Sequence, residues 1–173
     1  MRILFFTALF CAALMIVTAG CDRSSHVSYK DSVQKALEQA DLKDVTVTED
    51  TPKNTITLGG KLHSEDAKDR AAQVAQSAAG GRIIANQISV EPVGVASQAR
   101  AIESNVDSAI ESNYKAALIA NGLAEQHIRY TSKNGVLTLK GSVKANEQRQ
   151  EAAQIAQSVP NVGQVVNQIE VSR

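Results

Sequence analysis

The residues of this chain that could carry covalent or metal chemistry are few and scattered: Cys11 and Cys21, with His26, His63 and His127. Metal sites bring thiolates and imidazoles together at short spacings; His26 lies in the tether, and neither His63 nor His127 has a cysteine or a second histidine at such a spacing. No serine stands in a Gly-x-Ser-x-Gly context, the usual setting of an activated hydroxyl. Asp66 and Glu147 fall at expected helix starts, where the helix dipole accounts for an acid without catalysis. Gly59 and Gly60 adjoin Lys61, yet they lack the spacing and the lysine-serine pair of a phosphate-cradling loop. This inventory predicts a non-enzymatic protein with no metal and no cofactor. Nucleic acid is an equally poor partner, because the formal net charge is +0, aromatic residues make up 3% and tryptophan is absent.

Cys21 stands apart because of what precedes it. Arg2 gives a short basic start, residues 3–17 are an apolar run too short for a spanning helix, and Thr18-Ala19-Gly20 supplies small residues. That order resembles a bacterial lipoprotein signal over residues 1–20, cleaved after Gly20 with lipid on the Cys21 thiol. Thr18 is a departure, since leucine is more common there, and an ordinary secretory signal cut near Ala19 is the alternative. Under the lipoprotein reading Cys11 leaves with the signal, so Cys21 is the only thiol and no internal disulfide can form. Two or more acyl chains, at about 0.8 kcal/mol per buried methylene, would hold the chain on a membrane without spanning it. Asp22 resembles an inner-membrane retention signal whose meaning varies between bacterial groups, so inner and outer membrane both stay open. Residues 21–30 are polar and form the tether, with a reach of at most about 30 Å.

What must position any surface chemistry is a module that occurs twice. Thr57-Leu58, Gly60, Ala71-Ala72-Gln73, Asn86-Gln87-Ile88 and Val90 recur without a gap as Thr138-Leu139, Gly141, Ala152-Ala153-Gln154, Asn167-Gln168-Ile169 and Val171, an offset of 81. An ungapped duplication makes the repeat the unit of fold, giving module 1 over residues 31–90, a linker over 91–98 and module 2 over 99–173. Each module is small enough for a marginal core, so the two are expected to lean on each other.

Within module 1 the periodicity predicts a helix from Asp31 or Ser32 with Val33, Ala36, Leu37 and Ala40 on one face, then an alternating strand through Val45 and Val47. A hairpin leads to a strand over 55–62. A helix capped by Ser64 follows, with small buried residues Ala67, Ala71, Val74 and Ala75, and a last strand over 83–90 closes the unit. Gly60, kept as Gly141 while Gly59 is not, is expected to be structural, through a bulge or the close approach of the next helix. Asn86, kept as Asn167, is expected to bond a neighbouring backbone. Module 2 repeats the order with strands at 126–131, 136–143 and 163–171 and a helix at 145–158. Three strands with two helices on one face make an α+β sandwich.

The one large asymmetry is a helix from Ser97 or Ala99 to Asn121, much longer than its counterpart. Ile102, Val106, Ile110 and Tyr114 form its apolar row, and some partner must cover them: the first module, a second copy or a membrane. Arg100 and Lys115 are read as facing Glu103, Asp107 and Glu111 along the same helix.

The sequence from Leu137 to Val143, the acid-and-alanine helix, Val159-Pro160-Asn161-Val162 and Val166-Asn167-Gln168-Ile169 resemble the BON domain, a bacterial envelope module. Both copies fit, although the first lacks the Val-Pro-Asn-Val turn. With its signal, the chain resembles dual-BON envelope lipoproteins; without lipid it would resemble the osmotically induced periplasmic BON proteins. The resemblance implies a lipid-anchored module facing the periplasm that binds phospholipid surfaces and supports envelope integrity, with contact through the helix at 99–121. The alternative of another class is a periplasmic protein-interaction scaffold or chaperone-like factor, offering strand edges at 164–171 or 126–131 to envelope partners.

Overall fold

The computed structural model describes residues 28–124 and 126–172, so the expected signal, Cys21 and most of the tether lie outside the described residues. The elements run α1 Lys30–Gln39, β1 Val45–Asp50, β2 Thr55–Leu62, α2 Glu65–Ala78, β3 Ile83–Asn86, β4 Ser89–Val90, α3 Ala96–Ala120, β5 His127–Lys133, β6 Val136–Val143, α4 Asn146–Ser158 and β7 Gln164–Val171. The helix-strand-strand-helix-strand order holds twice. Several boundaries differ from the sequence reading, and β5 extends to Lys133 rather than ending at 131. The single last strand of module 1 is broken into β3 and β4, and α3 begins at Ala96, which shortens the linker.

Each sheet is mixed: β1 and β5 run antiparallel to the central strands β2 and β6, while β3, β4 and β7 run parallel to them. The parallel return is made through α2 or α4, which is the reason a small-residue helix follows each central strand. Ser64 Oγ accepts from Ala67 N–H at 3.3 Å to start α2, whereas α4 has no capping side chain at Ala145. There Gln148 Oε1 reaches back to accept from Lys144 and Ala145 N–H at 3.1 and 3.2 Å. Module 1 buries Val33, Leu37, Val45, Ile56, Leu58, Ala71, Ala75 and Ile88 between its helices and sheet. Module 2 buries Ile110, Tyr114, Leu118, Leu137, Leu139, Ala152, Ile155 and Ile169 in the equivalent layer.

The duplicated polar and glycine positions have local explanations. Asn86 Nδ2 donates to Lys68 O at 3.1 Å and Asn167 Nδ2 to Arg149 O at 3.2 Å, each tying its last strand to the helix above. Gly60 and Gly141 have φ of 105° and 111°. A Cβ at Gly60 would overlap the Asp44 carbonyl oxygen and one at Gly141 the His127 carbonyl oxygen. The close neighbour is therefore the entry to the adjacent antiparallel strand, not the next helix, and the strand register runs through both glycines with no bulge.

The helix-free faces of the two sheets meet. Ala85, Val136 and Val166 form a small buried cluster separate from both cores, and Gln168 Nε2 donates to Thr55 Oγ1 at 2.9 Å across the interface. The two hairpin turns reach across at equivalent positions: Lys53 on the first bonds Glu170 of β7, and Asn134, 81 residues later on the second, donates to Gln87 O at 2.7 Å. Helices thus lie outside and sheets inside, in four layers.

Candidate functional site

The long helix α3 was the expected contact surface, and its row divides in two. Ile110 and Tyr114 are fully buried in the module 2 core, so neither belongs to a surface. The 3-4 spacing that suggested an outward row is the ordinary spacing of a core face. Tyr114 Oη donates to Ala152 O at 3.1 Å, and its ring meets Tyr130 edge-on at 5.0 Å between centroids. Burial pushes the Tyr114 phenol far above its usual pKa, with Tyr130 adding to the effect, so it remains a protonated donor. The Tyr130 phenol is also raised, by burial and then by Glu111.

Val106 is half-buried at the edge of that core. Beyond it the helix leaves module 2. Ile102 is 63% exposed, Val95 45% and Val93 85%. Val95 is the residue just before the helix and Ile102 lies within its first two turns, so exposed apolar side chains gather where α3 begins.

The acids of α3 do not serve Arg100 and Lys115, as the sequence reading had it. Glu103 accepts from Val90 N–H at 3.1 Å and Ser89 Oγ–H at 2.6 Å, on the last strand of module 1. Asp107 takes Asn134 N–H at 2.8 Å, Gly135 N–H at 3.0 Å and Ser132 Oγ–H at 2.7 Å, and Glu111 takes Ser132 N–H at 2.8 Å. Backbone amides at a tight turn have no other partner, and a carboxylate is the strongest acceptor for them. Arg100 lies 3.7 Å from Glu91, which also pairs with Lys61 at 3.1 Å. The first turns of α3 therefore brace module 1 against module 2 through their polar face and leave Ile102 outside. The signal for this was present as acids at intervals of four on one face, but their partners are main-chain groups, which a side-chain reading does not see.

The strand edges named as the alternative surface, on β5 and β7, are the outer strands of the second sheet, whereas the outer edge of β3 is covered. Gln164 at the start of β7 accepts from Asn86 N–H at 3.1 Å and donates to Ile84 O, so its amide fills the outer edge of β3 as a peptide group would. Among the described residues no group of three or more His, Cys, Asp or Glu could hold a metal, and no helix is long and apolar enough to cross a membrane.

Comparison with known proteins gives similarities at several levels. The family model described as "BON domain" matches residues 28–92 and 106–173. Osmotically-inducible protein Y of Escherichia coli (strain K12) is 27% identical over 144 residues, covering 79% of this chain and 68% of the relative. Among solved structures, the C-terminal domain of CdsD, a structural protein of the type III secretion system of Chlamydia trachomatis, is 15% identical with a TM-score of 0.32, over 83% of this chain and 67% of that one. A second CdsD structure gives 15% identity and a TM-score of 0.33, with the chain spanning 61% of its length. With the family model matched twice, in tandem, over most of its length, this chain belongs to the BON-domain family.

Proposed function

We propose that the protein is a non-enzymatic envelope module, anchored through lipid on Cys21 and facing the periplasm, that rests on a phospholipid surface and supports the envelope under osmotic stress. The observation that carries the membrane contact is the apolar group where α3 begins: Val93 and Val95 just before the helix and Ile102 within it stay exposed, while Ile119 is exposed alone at the far end. Apolar side chains grouped at one end of a braced helix gain burial by entering the interfacial region of a bilayer. The lack of any cluster of four or more lysines or arginines in the sequence makes that contact apolar rather than electrostatic. The stress role follows the relative named for osmotic induction. A scaffold acting through the outer strands β5 and β7 is the alternative reading, since both lie at the edges of the order β5-β6-β7.

Two measurements test this. Replacing Cys21 with Ser should move the protein from the membrane fraction to the soluble periplasmic fraction; a variant that fractionates as the parent does removes the anchor from the proposal. The purified Cys21→Ser chain should float with vesicles of phosphatidylethanolamine and phosphatidylglycerol, with little change when phosphatidylglycerol is left out. Failure to float with either composition removes the surface contact.

A further inference from the structure

The duplicated Asn-Gln-Ile triplet sends its three side chains to three places. Asn86 and Asn167 bond the helices, and Ile88 and Ile169 enter the cores. The glutamines between them, Gln87 and Gln168, face the other way and line a gap of about 340 Å³ between the two sheets. Thr57 and Thr138, also related by the duplication, line it too, together with Asp50 and Lys140. The amide group of Gln168 is held from one side only: Nε2 donates to Thr55 Oγ1 at 2.9 Å, while the buried Oε1 has no hydrogen-bond partner among the described residues. A buried amide oxygen requires a donor, and the side chain that carries this one lines the gap.

We infer that this inter-sheet gap binds a small uncharged polyhydroxylated solute, a polyol or small sugar. Threonine hydroxyls donate and accept, and glutamine oxygens accept, which is the complement of a ligand made of hydroxyl groups. One carboxylate and one ammonium offset each other, so the lining favours neither anions nor cations. No aromatic ring lines the gap, which leaves planar bases and apolar rings without a stacking surface. Its volume lies at the lower end of ordinary ligand sites, roughly 300–1,000 Å³. Because the lining comes from both modules, an occupant would touch Thr57 on one sheet and Thr138 on the other and hold them together. This site is separate from the membrane contact and does not depend on it.

The test uses the soluble Cys21→Ser chain, with side-chain amide and threonine methyl NMR signals followed during titration with sorbitol and trehalose, and with glycine betaine as a zwitterionic control. The expected result is saturable shifts in the millimolar range at Gln87, Gln168, Thr57 and Thr138 with at least one of the two polyols and none with betaine. Gln168→Leu should abolish them; since that change also removes the bond to Thr55, Thr138→Val provides a second variant, expected to weaken binding several-fold with melting unchanged. Shifts that stay linear and spread over the surface, an equal response to betaine, or titrations unaltered in both variants would overturn the inference and leave the gap to water.

Discussion

Glu49 Oε1 lies 3.0 Å from Arg82 Nε, and the two side chains are only 5% and 8% exposed. The same carboxylate accepts from Ser28 Oγ–H at 2.6 Å, Tyr29 N–H at 3.1 Å and Lys30 N–H at 3.2 Å, so a strand residue caps the start of α1 in place of the usual side chain at the helix end. The Ser28 hydroxyl foremost, then the two amides and Arg82, hold the Glu49 carboxyl below its usual pKa against burial, which acts in the opposite sense. A depressed carboxylate gives stability that is fully present above its unfolded pKa and is lost as pH falls through the folded value. Thermal melts should therefore show module 1 weakening below the usual carboxylate range. Glu49→Gln should lower stability near neutral pH by about 2 kcal/mol and flatten that acid arm. The cost falls below that of a fully orphaned buried ion because Arg82 keeps Asn54 as a partner at 2.9 Å and packs over the Tyr29 ring. An unchanged acid arm in the variant would contradict this account.

Gly60→Val and Gly141→Val should each destabilise their own module by about 1 to 3 kcal/mol, because the left-handed backbone and the facing carbonyl oxygen both exclude a side chain. Calorimetry on the two variants should show the affected transition moving and the other following only through the shared interface. Parent-like melting for both would contradict the backbone reading.

Tyr114→Phe removes a buried hydroxyl and leaves Ala152 O without that donor, at a cost of about 1 kcal/mol. Vesicle flotation should not change, since Tyr114 never reaches the surface. A loss of flotation at full stability would restore it to the contact surface.

Val95→Asp with Ile102→Asp should abolish flotation and leave the melting temperature within about 1 °C, as expected for substitutions at exposed positions. Ile110→Asp, about two turns beyond Ile102 on the same helix, should instead unfold module 2, because it places a charge in a closed core. Flotation that survives the double substitution would move the contact elsewhere on the molecule.

Gln164→Ala opens the β3 edge and deletes two inter-module hydrogen bonds. Amide exchange at Asn86 should accelerate by at least about tenfold, a change of roughly 1.4 kcal/mol in local opening. Unaltered exchange would mean the edge is protected by something other than this side chain.

Much of the fold was legible because duplication marks structure. Positions such as Gly60 and Asn86 that stay fixed through 81 residues of offset announced a backbone requirement, and alternation in Val45, Val47, Ile56 and Leu58 announced the core. The inter-sheet contact was not legible. Thr48, Thr55, Thr57, Thr131 and Thr138 line the gap between the sheets, and their type does not mark it, since threonine suits a wet β surface as well as a polar interface. The α3 row misled for a related reason: Ile102 and Ile110 are the same residue type on the same stripe. What separates them is where module 2 ends beneath the helix, a tertiary fact that spacing does not encode.

The pairing of helix-free sheet faces means that each module uses its duplicate as the partner a separate subunit would otherwise supply. Two free copies meeting through Ala85, Val136, Val166 and a set of polar bonds would dissociate on dilution, because few apolar side chains are buried there. Joined in one polypeptide, the halves meet at an effective concentration set by the connecting segment rather than by expression level. Assembly of this face is thus first-order, and it is indifferent to how thinly the protein is spread.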